Sequence, residues 1–233
     1  MEGQPPFEVI YEDNHLLVVN KSPGILVQGD ATGDEPLAAL GKAYIKKKYG
    51  KPGEVFLGVV HRLDRPVSGV VVLARTSKAL ERMNALFREK ETVKTYWAIV
   101  KNKPHIPGGT LVHWLSKDEK KNKTTAYAHE KPGTLRSELN YNVVGSAQGH
   151  WLLEVSPITG RSHQIRVQLA SMGCVIAGDV KYGYDQPNAD GSICLHAKSL
   201  AFMHPVKKEP LLLSAPLPAS GLWKYFIKFD TEK

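Results

Sequence analysis

Three short stretches carry residue types that could act on a substrate. Residues 61–69 read HRLDRPVSG, with a histidine, two arginines and an aspartate set between the apolar runs VFLGVV and VVVLA. A connection between buried strands ordinarily turns with small polar residues, so this charge density is unusual. Asp64 follows an apolar run and is expected to leave a sheet edge pointing into a cleft, flanked by Arg62 and Arg65. The plainer alternative is a turn aspartate capping local amides between two solvated arginines. The second stretch is TGRSHQIRVQLA (159–170). His163 and Arg166 are three apart and share a face of a predicted helix, with Arg161 at its start. A cation at a helix N-terminus opposes the dipole, so an anion or carboxylate partner is one explanation and an exposed Arg-rich face is the other. The third is KTYWAIV (94–100), where alternation puts Tyr96 on one face and Trp97 on the other. Tyr96 is either a half-buried strand tyrosine or an aromatic face on which a base could stack.

The bulk properties narrow the partner class. The chain has 233 residues with 31 Lys+Arg against 23 Asp+Glu, a net charge of +8. A positive field attracts polyanions, and the basic clusters KAYIKKKYGK (42–51) and SKDEKKNK (116–123) point the same way, toward nucleic acid. No apolar run approaches a membrane span. The N-terminus starts acidic and lacks a short apolar segment with a cleavage site, so no secretory signal is expected. Cys174 and Cys194 are expected to be buried thiols in a reducing cytoplasm, a disulfide being the alternative. The nine histidines form no metal-ligand spacing, and no metal site is expected. The glycine-rich phosphate-binding fingerprints are absent as well.

The elements that must carry these residues read as follows. FEVIYED and HLLVVNK are two strands split at Asp13 and Asn14. DEPLAALGKAYIKKKYG is a helix, acidic at its start and lysine-rich at its end. VFLGVV and SGVVVLART are strands. SKALERMNALFREK is an amphipathic helix with Ser77 as N-cap. VKTYWAIV is a strand, followed by paired strands GGTLVHWLS and KTTAYAHE and a hairpin turning at GSAQG. A helix over GRSHQIRVQLASMG, a polar loop, the strand ICLHAKSLAFMHP and a closing helix PASGLWKYFIKFD complete the chain. Strands outnumber helices and many form hairpins, which favours an α+β fold with a mixed, mainly antiparallel sheet and flanking helices.

Taken together, the segments resemble the RluA family of RNA pseudouridine synthases. NKSPGILVQ, HRLDRPVSGVVVLART, VKTYWAIV, PITGRSHQIRVQLASMGCVIAGDVKYG and ICLHAKSLAFMHP match that family's motifs in order and cover most of the chain. Val67 stands where the family usually has Thr, Gln168 replaces a frequent His, and Ser22 replaces a Pro. His61, where a sister family has Gly, separates the chain from that group.

The resemblance implies the pseudouridine synthase catalytic fold with a central active-site cleft, as a single domain over residues 1–233 without an S4 RNA-binding domain. It implies isomerisation of uridine to pseudouridine in large-subunit ribosomal RNA or transfer RNA, by base flipping, glycosidic cleavage and reattachment through C5. No cofactor or metal is implied, nor a membrane or a required protein partner, and a cytoplasmic monomer is expected. Asp64 would be the catalytic carboxylate, Arg166 its ion-pair partner and Tyr96 the residue packing on the uracil. Arg62 would fill the gap left by the flipped base. Leu195 would form an apolar wall, and His61, Arg161 and His163 complete the substrate-binding set. Two other readings stay open: an inactive RNA-binding protein or chaperone on the same fold, and a glycosidic hydrolase. The latter commonly needs two carboxylates, and these motifs supply one.

Overall fold

The computed structural model describes residues 7–30 and 32–230. The reading of the N-terminus as free of a secretory signal rests partly on residues 1–6, which lie outside this range. In chain order the elements are β1 (Phe7–Glu12), β2 (Leu16–Lys21), α1 (Leu37–Lys48), β3 (Gly58–Val59), β4 (Ser68–Ala74), α2 (Ser77–Arg88), β5 (Val93–Val100), β6 (Gly108–Asp118), β7 (Lys123–Tyr127), β8 (Leu135–Ala147), β9 (His150–Pro157), α3 (Gln164–Ser171), β10 (Leu195–Met203) and β11 (Pro210–Ser214). The chain forms two compact units. One takes the residues up to Val93 and returns with Ala197–Pro216; the other holds Lys94–His196 and the segment from Leu217 onward.

In the first unit the strand order is β1-β2-β4-β10, with β11 on β10 and the two-residue β3 on β4. The expected strand VFLGVV thus shrinks to Gly58–Val59. β2 and β4 pair antiparallel from Leu16↔Ala74 to Lys21↔Gly69. Their sequences, LLVVNK and SGVVVLA, are apolar runs rather than alternating patterns because both faces are covered. Leu16, Val18, Val70 and Val72 join Ala79 and Met83 of α2 in one core. On the other face Gly41 of α1 lies against Leu17 and Leu73, near enough that a Cβ there would touch both. Each such leucine contributes about 1.5–3 kcal/mol by leaving water.

Helix α2 begins as an amphipathic pattern should, but its N-cap is Thr76, whose hydroxyl accepts from the Ala79 N–H at 3.1 Å, and not Ser77. Asp34 and Glu35 precede α1, whose first turn holds no acid. Asp34 is engaged elsewhere, as shown below. The β1–β2 turn is closed by Asp13, whose Oδ1 accepts from the N–H groups of His15 and Leu16, both at 2.8 Å.

The second unit is an antiparallel sheet in the order β5-β9-β8-β6-β7. Its β8–β9 hairpin turns through Gln148 and Gly149, both at positive φ, the conformation that two-residue turns of this hand require. The expected helix over GRSHQIRVQLASMG starts later, at Gln164, because His163 is left-handed with φ 53° and cannot continue a helix backward. The expected closing helix is two short 3-10 turns, Gly221–Tyr225 and Ile227–Phe229. The Phe229 ring there covers Gly145, at the point where the β8–β9 register shifts. Both cysteines are buried free thiols. The α+β class and the antiparallel pairing match the expectation from the sequence.

Gly69 supplies the sharpest test of this packing. Its φ is 113°, and an added Cβ would lie 2.6 Å from the backbone nitrogen of Ala197 on β10. The obstacle is backbone, not a side chain that can move aside. Gly69→Ala is expected to lower unfolding stability by about 3 kcal/mol, combining left-handed strain with backbone overlap. Chemical denaturation of the variant beside the parent measures this; a change under about 1 kcal/mol would contradict the close approach.

Candidate active site

The stretch HRLDRPVSG folds as a turn leading into β4. The Val67 N–H donates to the Asp64 carbonyl at 3.0 Å and closes it. Apolar and charged residues split cleanly by burial. Leu63 and Val67 are buried and hold the turn to the unit, while Asp64 is half-buried and Arg62 exposed. The Val67 side chain therefore anchors, which accounts for an apolar residue where the resembling family uses a hydroxyl. The Asp64 carboxyl is a half-buried acid on a fixed backbone, a fitting state for a group that must meet a substrate.

Arg65 has a different task. Its Nε donates to the Gly24 carbonyl at 3.0 Å, and the Gly24 N–H donates back to the Arg65 carbonyl at 2.8 Å. Its Nη2 pairs with Asp34 at 2.6 Å. Both side chains of that pair are about half exposed, so the charges alone contribute little, on the order of 0–1 kcal/mol. The reciprocal bonds with Gly24 are the firmer link. Arg65 thus ties the turn to the loop that follows β2. His61 is also engaged. Its Nε2 accepts from the Val72 N–H at 3.0 Å, and its ring stacks on Phe87 with centroids 4.9 Å apart. The ring therefore joins the start of the turn to β4 and α2.

In the second unit the residues preceding α3 build a compact polar cluster. The Gln164 side chain organises the approach: its Oε1 accepts from the Thr159 hydroxyl at 2.7 Å and the Arg161 N–H at 3.0 Å, and its Nε2 donates to the Glu138 carbonyl at 3.0 Å. Arg161 is exposed and lies in the turn before the helix, so the expected clash with the helix dipole does not arise. His163 and Arg166 do converge, through a residue that the sequence reading passed over. The Tyr182 hydroxyl shares a hydrogen bond with His163 Nδ1 at 2.8 Å and accepts from the Thr124 N–H at 2.9 Å. The Arg166 guanidinium lies over the Tyr182 ring, 5.1 Å from its centroid. Burial pushes the Tyr182 phenol above its ordinary pKa, against the opposing pull of the Thr124 bond and the Arg166 charge.

Arg166 is buried and held by Asp179 in a two-point pair, Nε to Oδ2 at 2.7 Å and Nη2 to Oδ1 at 2.8 Å. Two parallel bonds on one edge and a ring below fix the plane of the guanidinium. The resemblance names Asp64 as the partner of Arg166; within this unit Arg166 is also paired with Asp179. Both Asp179 and Tyr182 stand in the segment GDVKYG, whose spacing was visible in the sequence, but which reads as a polar loop. It contains instead the 3-10 turn Val180–Tyr182 that aims Tyr182 at Arg166.

Tyr96 is half-buried on β5 opposite Val155, while Trp97 to Val100 are buried, so the second half of the strand is covered on both faces and does not alternate. Leu195 is buried at the start of β10. Among the described residues no group of three or more His, Cys, Asp or Glu could hold a metal ion.

Comparison with known proteins gives consistent matches. A family model described as RNA pseudouridylate synthase matches residues 15–171. Ribosomal large subunit pseudouridine synthase C of Vibrio vulnificus is 34% identical over 223 residues, covering 90% of this chain and 65% of that relative. Dual-specificity RNA pseudouridine synthase RluA of Pasteurella multocida is 30% identical, covering 91% of this chain and 94% of the relative. The structure of Human RNA Pseudouridylate Synthase Domain Containing 4 matches with a TM-score of 0.75 and 26% identity, covering 95% of this chain and 90% of that one. The chain therefore spans 65% of the length of the first of these relatives.

Asp179 can be tested apart from any activity. Asp179→Asn keeps the shape but turns an N–H₂ group toward the donors of Arg166, leaving a buried cation poorly matched. Stability is expected to fall by about 3 kcal/mol. Unchanged denaturation midpoints in the variant would show that Asp179 does not carry the Arg166 charge.

Proposed function

The chain belongs to the RNA pseudouridylate synthase family, and from that premise we propose that it isomerises uridine in RNA to pseudouridine. The observation that carries this reading is the HRLDRPVSG turn: its apolar residues are buried, and it presents Asp64 from a backbone fixed by hydrogen bonds. The reaction breaks the N1–C1′ bond and forms C5–C1′, with N1 gaining a proton and C5 losing one, so it balances without a co-reactant. Asp64 supplies the carboxylate, either attacking C1′ or assisting an unsaturated sugar intermediate. Tyr96 offers the surface for the uracil, Arg166 the counter-charge, and Leu195 an apolar wall against loss of the free base. His61 and His163 act through the backbone and the ring they hold. Exposed Arg62 fills the space vacated by a flipped uridine, offsetting an unstacking cost of roughly a few kcal/mol.

The RNA is ribosomal or transfer RNA, on the strength of relatives named for the large ribosomal subunit and for dual specificity. A net charge of +8 suits either. A compact stem-loop is the preferred form, taken by a monomer without a protein partner.

Asp64→Asn should lose pseudouridine formation by about a thousandfold or more, while RNA affinity stays within about twofold. Release of label from C5-tritiated uridine in transcripts of both RNA classes, read beside a binding assay, measures the two together. Full turnover by that variant would sink the assignment. Arg62→Ala should impair a folded stem-loop about tenfold more than a short unstructured strand, because only the former needs a gap filled. Equal losses on both would remove that role.

A further inference from the structure

Lys21, the last residue of β2, is fully buried. Its Nζ donates to three carbonyls, those of Ser22 at 3.0 Å, Ile25 at 2.9 Å and Arg65 at 3.3 Å. An ammonium has three N–H donors and no acceptor, so the three carbonyls match the charged form in number; a neutral amine would leave one unserved. Two of the acceptors belong to the loop after β2. The third belongs to the residue directly after Asp64. The charged groups facing the ammonium are Asp64, which attracts it, and Arg65, which repels it. Arg65 is in turn drawn aside by Asp34 and by the Gly24 carbonyl.

Sealing a lone ammonium in a protein is costly, and a methionine would fill a similar volume at no electrostatic cost. A purely packing role does not explain the charge. Resting on the reading of Asp64 as the reacting carboxylate, we propose that Lys21 is a positioning residue for the reaction: its ammonium fastens the Asp64–Arg65 backbone to the Ser22–Ile25 loop and sets a positive charge beside the carboxylate.

The role has a pH signature. Burial pushes the Lys21 amine down to about 7, against the pull of Asp64 and helped by the repulsion of Arg65. As pH rises through that value the ammonium loses its proton, one carbonyl loses its donor, and the charge beside Asp64 disappears. Activity should then fall. Stability should move the other way. Because the folded value lies below the ordinary lysine value of 10.5, the unfolded chain binds more protons between the two, and the contribution of Lys21 to stability rises with pH across that window. A merely structural lysine would let activity follow the fold.

The experiment compares the full chain with Lys21→Arg and Lys21→Met between about pH 6 and 9. The parent kcat should fall about tenfold over that range, with KM within about twofold. Lys21→Arg, charged throughout, should stay flat. Lys21→Met should be low and flat in kcat. Hydrogen exchange gives a readout independent of turnover: protection of the Gly24 and Val67 amides, which donate to the Arg65 and Asp64 carbonyls, should decline with pH in the parent and not in Lys21→Arg. If Lys21→Met does not fold, the parent and Lys21→Arg still decide the matter. Identical pH profiles for those two, or a Lys21→Met chain with parental kcat, would overturn the role. A parent that turns over no RNA yet shows the amide pattern removes the synthase reading on which the role rests, and so separates the two failures.

Discussion

The pairing of β2 with β4 is the constraint on which the turn carrying Asp64 depends. Both strands are buried on both faces, between α1 on one side and α2 on the other. In a sheet with one wet face, a one-residue slip would expose the apolar set and be rejected on that ground. Here a slip would trade one apolar face for another, so the pattern alone specifies register weakly. Gly69 supplies the missing specificity. It lies opposite Lys21, and the backbone of Ala197 approaches it so closely that no other residue fits. With Gly69 fixed, the end of HRLDRPVSG is fixed, and Asp64 is held five residues upstream by a turn whose apolar members are buried.

Charge is buried in both units, and its purpose differs from its cost. The Arg166–Asp179 pair is nearly inaccessible, and for such a pair desolvation cancels much of the Coulomb gain. Net stability is a weak reason for its presence. Orientation is a stronger one, since two bonds and the Tyr182 ring leave the guanidinium a single plane. The exposed Arg65–Asp34 pair shows the converse. Its charges are screened, but Arg65 is locked by reciprocal bonds with Gly24, and the link survives without help from the ion pair.

Much of the fold was legible because the strands and α2 follow apolar patterns that burial dictates. What was illegible has physical causes. The start of α3 was misplaced because a left-handed residue at His163 leaves no trace in hydrophobic periodicity. The end of the chain has the composition of a helix but forms 3-10 turns, with Phe229 packed over the register shift at Gly145. Among the candidate residues, Asp64 stood out because its turn is dense in charge, and Arg166 because it lies among apolar helix neighbours. Asp179 and Tyr182 did not, because polar residues in a polar stretch look solvated until the chain folds. Lys21 was hidden for the opposite reason: a lysine at a strand end reads as a solvated terminus, and only the three carbonyls around its nitrogen show otherwise.

The charge density of HRLDRPVSG follows from a division of labour within nine residues. Much of the holding of this turn comes from the neighbours of Asp64. Leu63 and Val67 hold by burial, Arg65 by its bonds to the loop after β2, and His61 by its bond to β4 and its stack on α2. Arg62 takes no part in this and is left exposed. The arginine on one side of Asp64 is therefore structural and the one on the other side is presented. Two identical residue types flanking one acid differ in task, and the holding task of Arg65 becomes legible only from its bonds to Gly24 and Asp34.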